Sequence, residues 1–396
     1  MFLYEDLFAQ HRDLQKLESM DYDTRVFKMP KIYKRAIDLM FERHTLTYSD
    51  FGGIKRFKQL VLNYEQNLTG ISCGDCGVFT GSGVSSLIFP TIEAVLSLPE
   101  NQNRKEVLLF APDYTLFHSS VEYAGGIPCM IQSLRENNYL PSIEQITEAI
   151  SDKTAAVLFA NPNNPTCKNY SKEWTENFVA LANEHNIFII SDEMYFDTVY
   201  NGEFTHIPSI QGSYKNYTKL YGLSKDRPGM TGMRTGYYVG DKRLIDYISD
   251  SQLVRNFSGN INADFIFLVD IALRYLARTG EQFYDLKYFT EEEIADYYQA
   301  IELNAELQKR NNKKVVEALQ NNEHVSDLIE PDCGNGVFFR YHKTLPATEL
   351  VREFINKGLA LYPCDVFNLD TEKEGSWSRV CVTKSVEFLE DGIAKI

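Results

Sequence analysis

Residues 155–195 read AAVLFANPNNPTCKNYSKEWTENFVALANEHNIFIISDEMY, and this stretch decides the fold. Residues 155–160 are an uninterrupted apolar run of strand length that ends in Asn161-Pro-Asn-Asn-Pro-Thr166. Ser171 then stands as an N-cap before a helical pattern with Trp174, Phe178 and Leu181 on one face. Residues 186–190 form the next strand, which runs into Ser191-Asp-Glu-Met-Tyr195. Strand, helix and strand in this order predict parallel strands joined by a helical crossover. Ligands of such sheets sit at the carboxyl ends of the strands, which singles out Asn164, Asp192 and Tyr195.

The pattern continues downstream. Residues 217–221 are a third strand, ending in Gly-Leu-Ser-Lys225 and followed by a loop rich in Gly and Pro up to Arg234. A lysine that does covalent chemistry needs a lowered pKa and a fixed position. A Ser-Lys pair by itself is as well explained by a solvated turn. Its place past a strand end, like Asn164, Asp192 and Tyr195, sets Lys225 apart.

Upstream, residues 106–110 read as a strand leading into Ala111-Pro-Asp-Tyr114. An aromatic there either stacks on a planar ligand or packs into the core. Thr80-Gly-Ser-Gly-Val-Ser-Ser follows the strand-like Val78-Phe79 and opens a helix with Val84, Leu87, Ile88 and Ile92 on its apolar side. Free N–H groups at such a helix start suit a phosphate, and a plain tight turn is the alternative. Tyr48 lies just before a Gly pair, ahead of a helical pattern over 54–64. Within residues 1–20, Leu3, Leu7, Leu14 and Leu17 fall at helical spacing and predict an amphipathic helix that docks on the body or on a second subunit.

The C-terminal part changes character. A long helical region reaches about residue 312 and includes the acidic run Glu291-Glu-Glu293, read as a solvated helix start. Beyond it come helix, strand (336–341), helix (347–357) and strand, with Arg379 expected at the start of the last. The expected fold class is α/β: a large domain with a mostly parallel, seven-stranded type of sheet covered by helices, plus a smaller α+β domain. Expected boundaries are 1–45 for an N-terminal helix and arm packing with the small domain, 46–290 for the large domain and 291–396 for the small one.

The chain has 396 residues, 44% hydrophobic and 24% charged, which is enough to bury a sizeable core. A formal net charge of −15 argues against nucleic acid or an anionic membrane surface as partner. Acids appear early at the N-terminus, and the longest apolar runs are too short for a bilayer, so a cytoplasmic location is expected. The seven scattered cysteines read as reduced thiols. Cys73-Gly-Asp-Cys76 has no second ligand pair nearby, so no metal site is expected.

A lysine, an acid, a tyrosine, an asparagine, an anion site and two arginines are the inventory of pyridoxal 5'-phosphate chemistry. In NPNNPT (161–166), SDEMY (191–195), SKDRPGMTGMRTGY (224–237), TGSG (80–83) and PDY (112–114), the chain resembles the fold-type I enzymes of the class I/II aminotransferase superfamily. The resemblance runs from about Tyr48 to Arg379. It implies that Lys225 forms the internal aldimine and shuttles the substrate proton, while Asp192 keeps the pyridine nitrogen protonated. Asn164 and Tyr195 would bond the cofactor's phenolate oxygen, and Tyr114 would stack on its ring. Gly81, Ser82, Gly83, Ser224 and Arg234 would form the phosphate cup. Tyr48 would reach the phosphate of a neighbouring subunit, which implies a homodimer. Arg379, with Asn164, would hold the substrate α-carboxylate.

The chain departs from the family's pattern in several places. Gly222 stands where many members carry a phosphate-binding serine, and Cys167 follows NPT in place of glycine. The interval from Lys225 to Arg234 is one residue longer than usual, and 21–29 lack a Gly-Glu-Pro-like substrate loop. The activity implied is transfer of an amino group from an L-amino acid to a 2-oxo acid. The alternative is a lyase or cyclase acting on a guanidino amino acid by elimination, replacement or capreomycidine-synthase-like ring closure. A regulatory ligand-binding domain on the same scaffold would need a basic helix-turn-helix module, and none is visible here. Arg255 is read as a structural ion pair or a distal carboxylate ligand.

Overall fold

The computed structural model describes residues 2–11, 13–42, 52–245, 247–248 and 261–396. In chain order the strands are β1 (Gln15–Lys16), β2 (Cys76–Gly81), β3 (Glu106–Ala111), β4 (Ile127–Gln132), β5 (Thr154–Ala160), β6 (Phe188–Asp192), β7 (Tyr217–Tyr221), β8 (Gly236–Asp241), β9 (Val325–Ile329), β10 (Gly336–Tyr341), β11 (Leu359–Ala360) and β12 (Trp377–Cys381). Seven of them form one sheet in the order β2-β8-β7-β6-β5-β3-β4. Strands β3 to β7 run parallel, and β8 is antiparallel to both its neighbours.

Every residue of β5, β6 and β7 is buried; β5 and the first three residues of β6 read as apolar runs, while β7 also buries Thr218 and Lys219. Alternation along the strands divides them between two helical layers. Leu158, Leu220 and Tyr238 face the helix Ser85–Ser97. Tyr221 and Tyr237, one residue away, face the helices Lys55–Thr69 and Ile261–Thr279. The Ser171 hydroxyl accepts the Trp174 N–H at 3.1 Å and caps the crossover helix Lys172–Glu184, as its sequence predicts.

A smaller antiparallel sheet, β12-β10-β9, lies against the 30-residue helix Glu291–Gln320 and the helix Ala347–Asn356. The acidic run does start the long helix, where Thr290 and Glu293 form a capping box. That helix continues to Gln320, beyond the expected end near 312. Arg379 is the third residue of β12, paired with Phe338, and so lies in mid-strand instead of at its start.

The N-terminal expectation is corrected as well. The first helix spans only Phe2–Ala9, and its buried side chains are Tyr4 and Phe8, while Leu3 is 59% exposed. Asp13 adopts φ 64°, a left-handed conformation that no helix continues through and that Asp tolerates better than most residues. The chain then extends, and β1 pairs in parallel with β11, delivering Leu17 to the core beneath the small sheet.

Candidate active site

The carboxyl ends of β5, β6 and β7 open onto a cleft. Asn164, Asp192, Tyr195, Ser224, Lys225 and Arg234 all line it, although they are spread over some seventy positions of sequence. Tyr114 also lines it, with its hydroxyl 3.4 Å from the Ser85 Oγ and its ring edge-on to Phe117.

Asp192 is the last residue of β6, and its Oδ1 accepts the Met194 N–H at 3.3 Å. Burial, with Glu193 nearby, pushes its carboxyl up to about 7 against the opposing pull of the Met194 bond and Lys225. Such a carboxyl welcomes a cation, and a protonated ring nitrogen is one. The adjacent acid does something else. Glu193 is fully buried, accepts the Tyr217 hydroxyl at 2.5 Å and lies 3.7 Å from Lys219, whose amine also bonds Glu65. Strand alternation thus sends one acid of the Asp-Glu pair to the cleft and the other to an internal ion pair.

Lys225 is held through its backbone. Its carbonyl accepts the Tyr22 hydroxyl and the Asn335 amide, each at 2.7 Å. Burial and then the charge of Arg379 lower the pKa of its amine, which favours the neutral nucleophile. Immediately after it, Asp226 and Arg227 turn inward and join a buried network with Asp270 and Arg274.

Gly222 has a steric cause. A Cβ on it would lie 2.5 Å from the carbonyl oxygen of Thr235, so the close passage of β7's end beside β8's start admits no serine there. Hydroxyls reach the cup from other positions: Ser85, Ser224 and Thr231 line the cleft together with Arg234. Arg234 takes φ 49° and its Nη1 donates to the Thr231 carbonyl at 3.3 Å. Gly83 leaves room for this guanidinium, because a Cβ on it would come within 2.4 Å of Nη2. Gly81 is similarly walled in by Ser86 and Leu87, whereas Ser82 is exposed and Gly81, Ser82 and Gly83 are not lining residues of the cleft. Ser85 and Thr231 were not expected from sequence. The run of hydroxyls in Gly-Val-Ser-Ser after TGSG was the available signal for the first. Tyr48 and Arg255 lie outside the described residues.

Arg379 sits at the far side of Asn164. Its Nη1 donates to the Asn164 Oδ1, its Nη2 donates to Glu18, and its guanidinium carbon lies 4.9 Å above the Phe367 ring. Gly336, facing it from β10, clears its path, since a Cβ there would be 2.9 Å from the Arg379 Cδ. Cys167 adopts φ 55°, so the position that follows NPT keeps a glycine-like backbone despite its side chain. Its thiol is buried beside Tyr195 and Cys333.

The donor set fits pyridoxal phosphate on its own chemistry. A guanidinium among hydroxyls matches a phosphate, a buried carboxyl matches a pyridinium, an aromatic ring lies at the cleft wall and a lowered-pKa amine is available to an aldehyde.

Comparison with known proteins agrees. The family model described as aminotransferase class I and II matches residues 13–396. An aspartate aminotransferase of Bacillus sp. (strain YM-2) is 32% identical over 227 residues, 57% of this chain and 56% of that protein. An asparagine–oxo-acid transaminase of Streptococcus mutans is 30% identical over 246 residues, 61% of this chain and 60% of that protein. The chain therefore matches little more than half the length of these relatives. The solved structure of an aspartate aminotransferase from Thermus thermophilus with maleate superposes with a TM-score of 0.83, covering 100% of this chain and 94% of that one at 22% identity, a likeness of fold. Together with the cleft, the family match leads to one conclusion: this chain belongs to aminotransferase class I and II, a family of pyridoxal-phosphate-dependent transferases.

Proposed function

We propose that this protein moves an amino group from an L-amino acid to a 2-oxo acid, with Lys225 as the residue that holds the cofactor and works on the substrate. The observation that supports it most directly is the presence of Lys225, Asp192, Asn164, Tyr195 and Arg234 around one cleft at the carboxyl edge of the sheet. Bound there, pyridoxal phosphate supplies an aldehyde carbon for amines and an electron-withdrawing ring.

The chain's own residues do the rest. Arg234, with Ser85, Ser224 and Thr231, binds the phosphate. Asp192 holds a proton on the ring nitrogen. Asn164 and Tyr195 bond the phenolate oxygen, and Tyr114 covers the ring. Lys225, once its amine is free, takes the proton from the substrate α-carbon, and its backbone anchors limit where that amine can reach. Arg379 orients the substrate by its α-carboxylate, so that the α-hydrogen faces Lys225. Assembly as a homodimer, with Tyr48 reaching the partner's phosphate site, belongs to the same reading. The lyase and cyclase reading finds no support in the relatives.

A half-reaction tests the proposal. Loaded enzyme given an amino acid alone should yield the matching 2-oxo acid in a single turnover, with the cofactor left in its amine form. Ammonia release instead would point to elimination. A Lys225→Ala protein turning over at the wild-type rate would sink the mechanism.

A further inference from the structure

The carboxylate clamp already holds a carboxylate of the protein's own. Glu18, on the arm that follows β1, accepts a hydrogen bond from the Arg379 Nη2 and is only 7% exposed. The pair is incompletely matched. The Glu18 Oε2 and the Arg379 Nε are both buried and lack any hydrogen-bond partner among the described residues. A settled internal Arg–carboxylate pair normally uses two parallel bonds, and each orphaned polar atom in the interior opposes folding.

The arm around Glu18 is fixed by contacts other than the Glu18 side chain, with Leu17 buried in the core on one side. The Cys381 N–H donates to the Leu17 carbonyl at 2.7 Å, and the Cys381 thiol bonds the Glu18 carbonyl at 3.2 Å. Further along, the Asp23 N–H donates to the Thr383 carbonyl at 2.8 Å and the Tyr22 hydroxyl reaches Lys225. The Glu18 side chain can therefore change rotamer without the arm coming away from β12. Asn164 lines the cleft and its Oδ1 accepts from the Arg379 Nη1, so the Glu18–Arg379 pair adjoins the cavity at Asn164.

Resting on the reading of Arg379 as the substrate's carboxylate site, we propose that Glu18 is a resident surrogate for that carboxylate: it occupies Arg379 in the empty enzyme and is exchanged for the substrate's α-carboxylate on binding. Exchange of one carboxylate for another keeps the buried guanidinium paired throughout, so no uncompensated charge is created in the interior. The incoming group can form the two-bonded contact that Glu18 leaves half made. Every substrate must displace Glu18, which makes it a specificity-determining residue: molecules that lack a carboxylate have nothing with which to open the clamp. If Glu18 holds the clamp about nine-tenths of the time, apparent carboxylate affinity falls about tenfold.

The test is titration of cofactor-loaded enzyme with carbon-13-labelled acetate, followed by NMR line broadening. Glu18→Gln should bind acetate about tenfold more tightly than wild type. Glu18→Asp, whose shorter side chain withdraws from Arg379, should shift in the same direction and covers the case in which the glutamine variant fails to fold. Arg379→Ala should abolish the binding. Equal or weaker binding by both Glu18 variants, with the Arg379 dependence intact, overturns the role of Glu18 and leaves Arg379 as the clamp. Acetate binding that survives Arg379→Ala, or that is absent from wild type and Glu18 variants alike, overturns the Arg379 reading itself.

Discussion

The Arg227 Nε lies 2.9 Å from the Asp270 Oδ1, two residues beyond Lys225 and out of reach of solvent. Asp270 also accepts the Tyr33 and Tyr297 hydroxyls at 2.5 and 2.9 Å and the Arg274 guanidinium at 2.6 Å. Although burial opposes it, the two arginines hold the Asp270 carboxyl well below the usual range. Asp270→Ala leaves two buried guanidinium groups short of a partner and should lower unfolding free energy by about 3–5 kcal/mol. Urea denaturation of the loaded enzyme measures it, and a change below 1 kcal/mol would mean that the network relaxes into water.

Gly222→Ser forces a Cβ toward the Thr235 carbonyl at 2.5 Å. Either β7 or β8 must give way just where Lys225 and Arg234 are placed. We expect about 1–3 kcal/mol of destabilisation together with weaker retention of cofactor after dialysis. Tighter cofactor binding by the serine variant would show that the backbone accommodates it and that the cup simply lacks a donor.

Asp192 gives a pH signature in the cofactor-free protein. Its carboxyl is raised by burial from the ordinary carboxylate range to about 7, so the folded state holds a proton that the unfolded chain releases. The associated stability is fully present below the unfolded value and is lost as pH rises to about 7. Asp192→Asn removes this loss. The variant should therefore gain on the wild type between pH 4 and 7, by at most about 4 kcal/mol. Denaturation midpoints at pH 5 and pH 7.5 supply the comparison, and parallel curves would count against a buried, unpaired carboxyl.

Arg379→Lys keeps the charge and discards the planar fork. Loss of transition-state stabilisation of about 2–4 kcal/mol, or roughly 30- to 1000-fold in kcat/KM, is expected for both amino donor and oxo acceptor. An effect on only one of the two substrates would be inconsistent with a shared α-carboxylate site.

The strand-end residues were legible because parallel strands buried on both faces announce themselves as apolar runs, and the chain must leave each run at the same edge of the sheet. Asp192 could be placed from that fact, whereas Lys225 follows Tyr-Thr-Lys-Leu-Tyr, a strand with two polar residues in its middle. The cap at Ser171 was legible for a local reason, since the donor and acceptor lie three residues apart. Glu18 was not. It follows directly on the leucine spacing that read as a helix, and its partner Arg379 is 361 residues away. The early end of the first helix was missed because the leucine spacing continues past Ala9, while the turn at Asp13 depends on a backbone conformation that spacing does not report. Thr231 reaches the cleft only because the loop after Lys225 folds back, with the Thr231 hydroxyl donating to the Ser224 carbonyl at 3.1 Å.

The two-residue pairing of β1 with β11 is small, yet it fastens the arm to the smaller unit while Tyr22, a few residues on, bonds the carbonyl of Lys225 at the edge of the larger sheet. The arm is therefore a tether with one end in each half of the molecule. Asn335, just before β10, donates to the same carbonyl and accepts from the Tyr22 hydroxyl, so the lysine's footing is built in part from the smaller unit, and the strap that carries Tyr22 there from Lys16 is fewer than ten residues long.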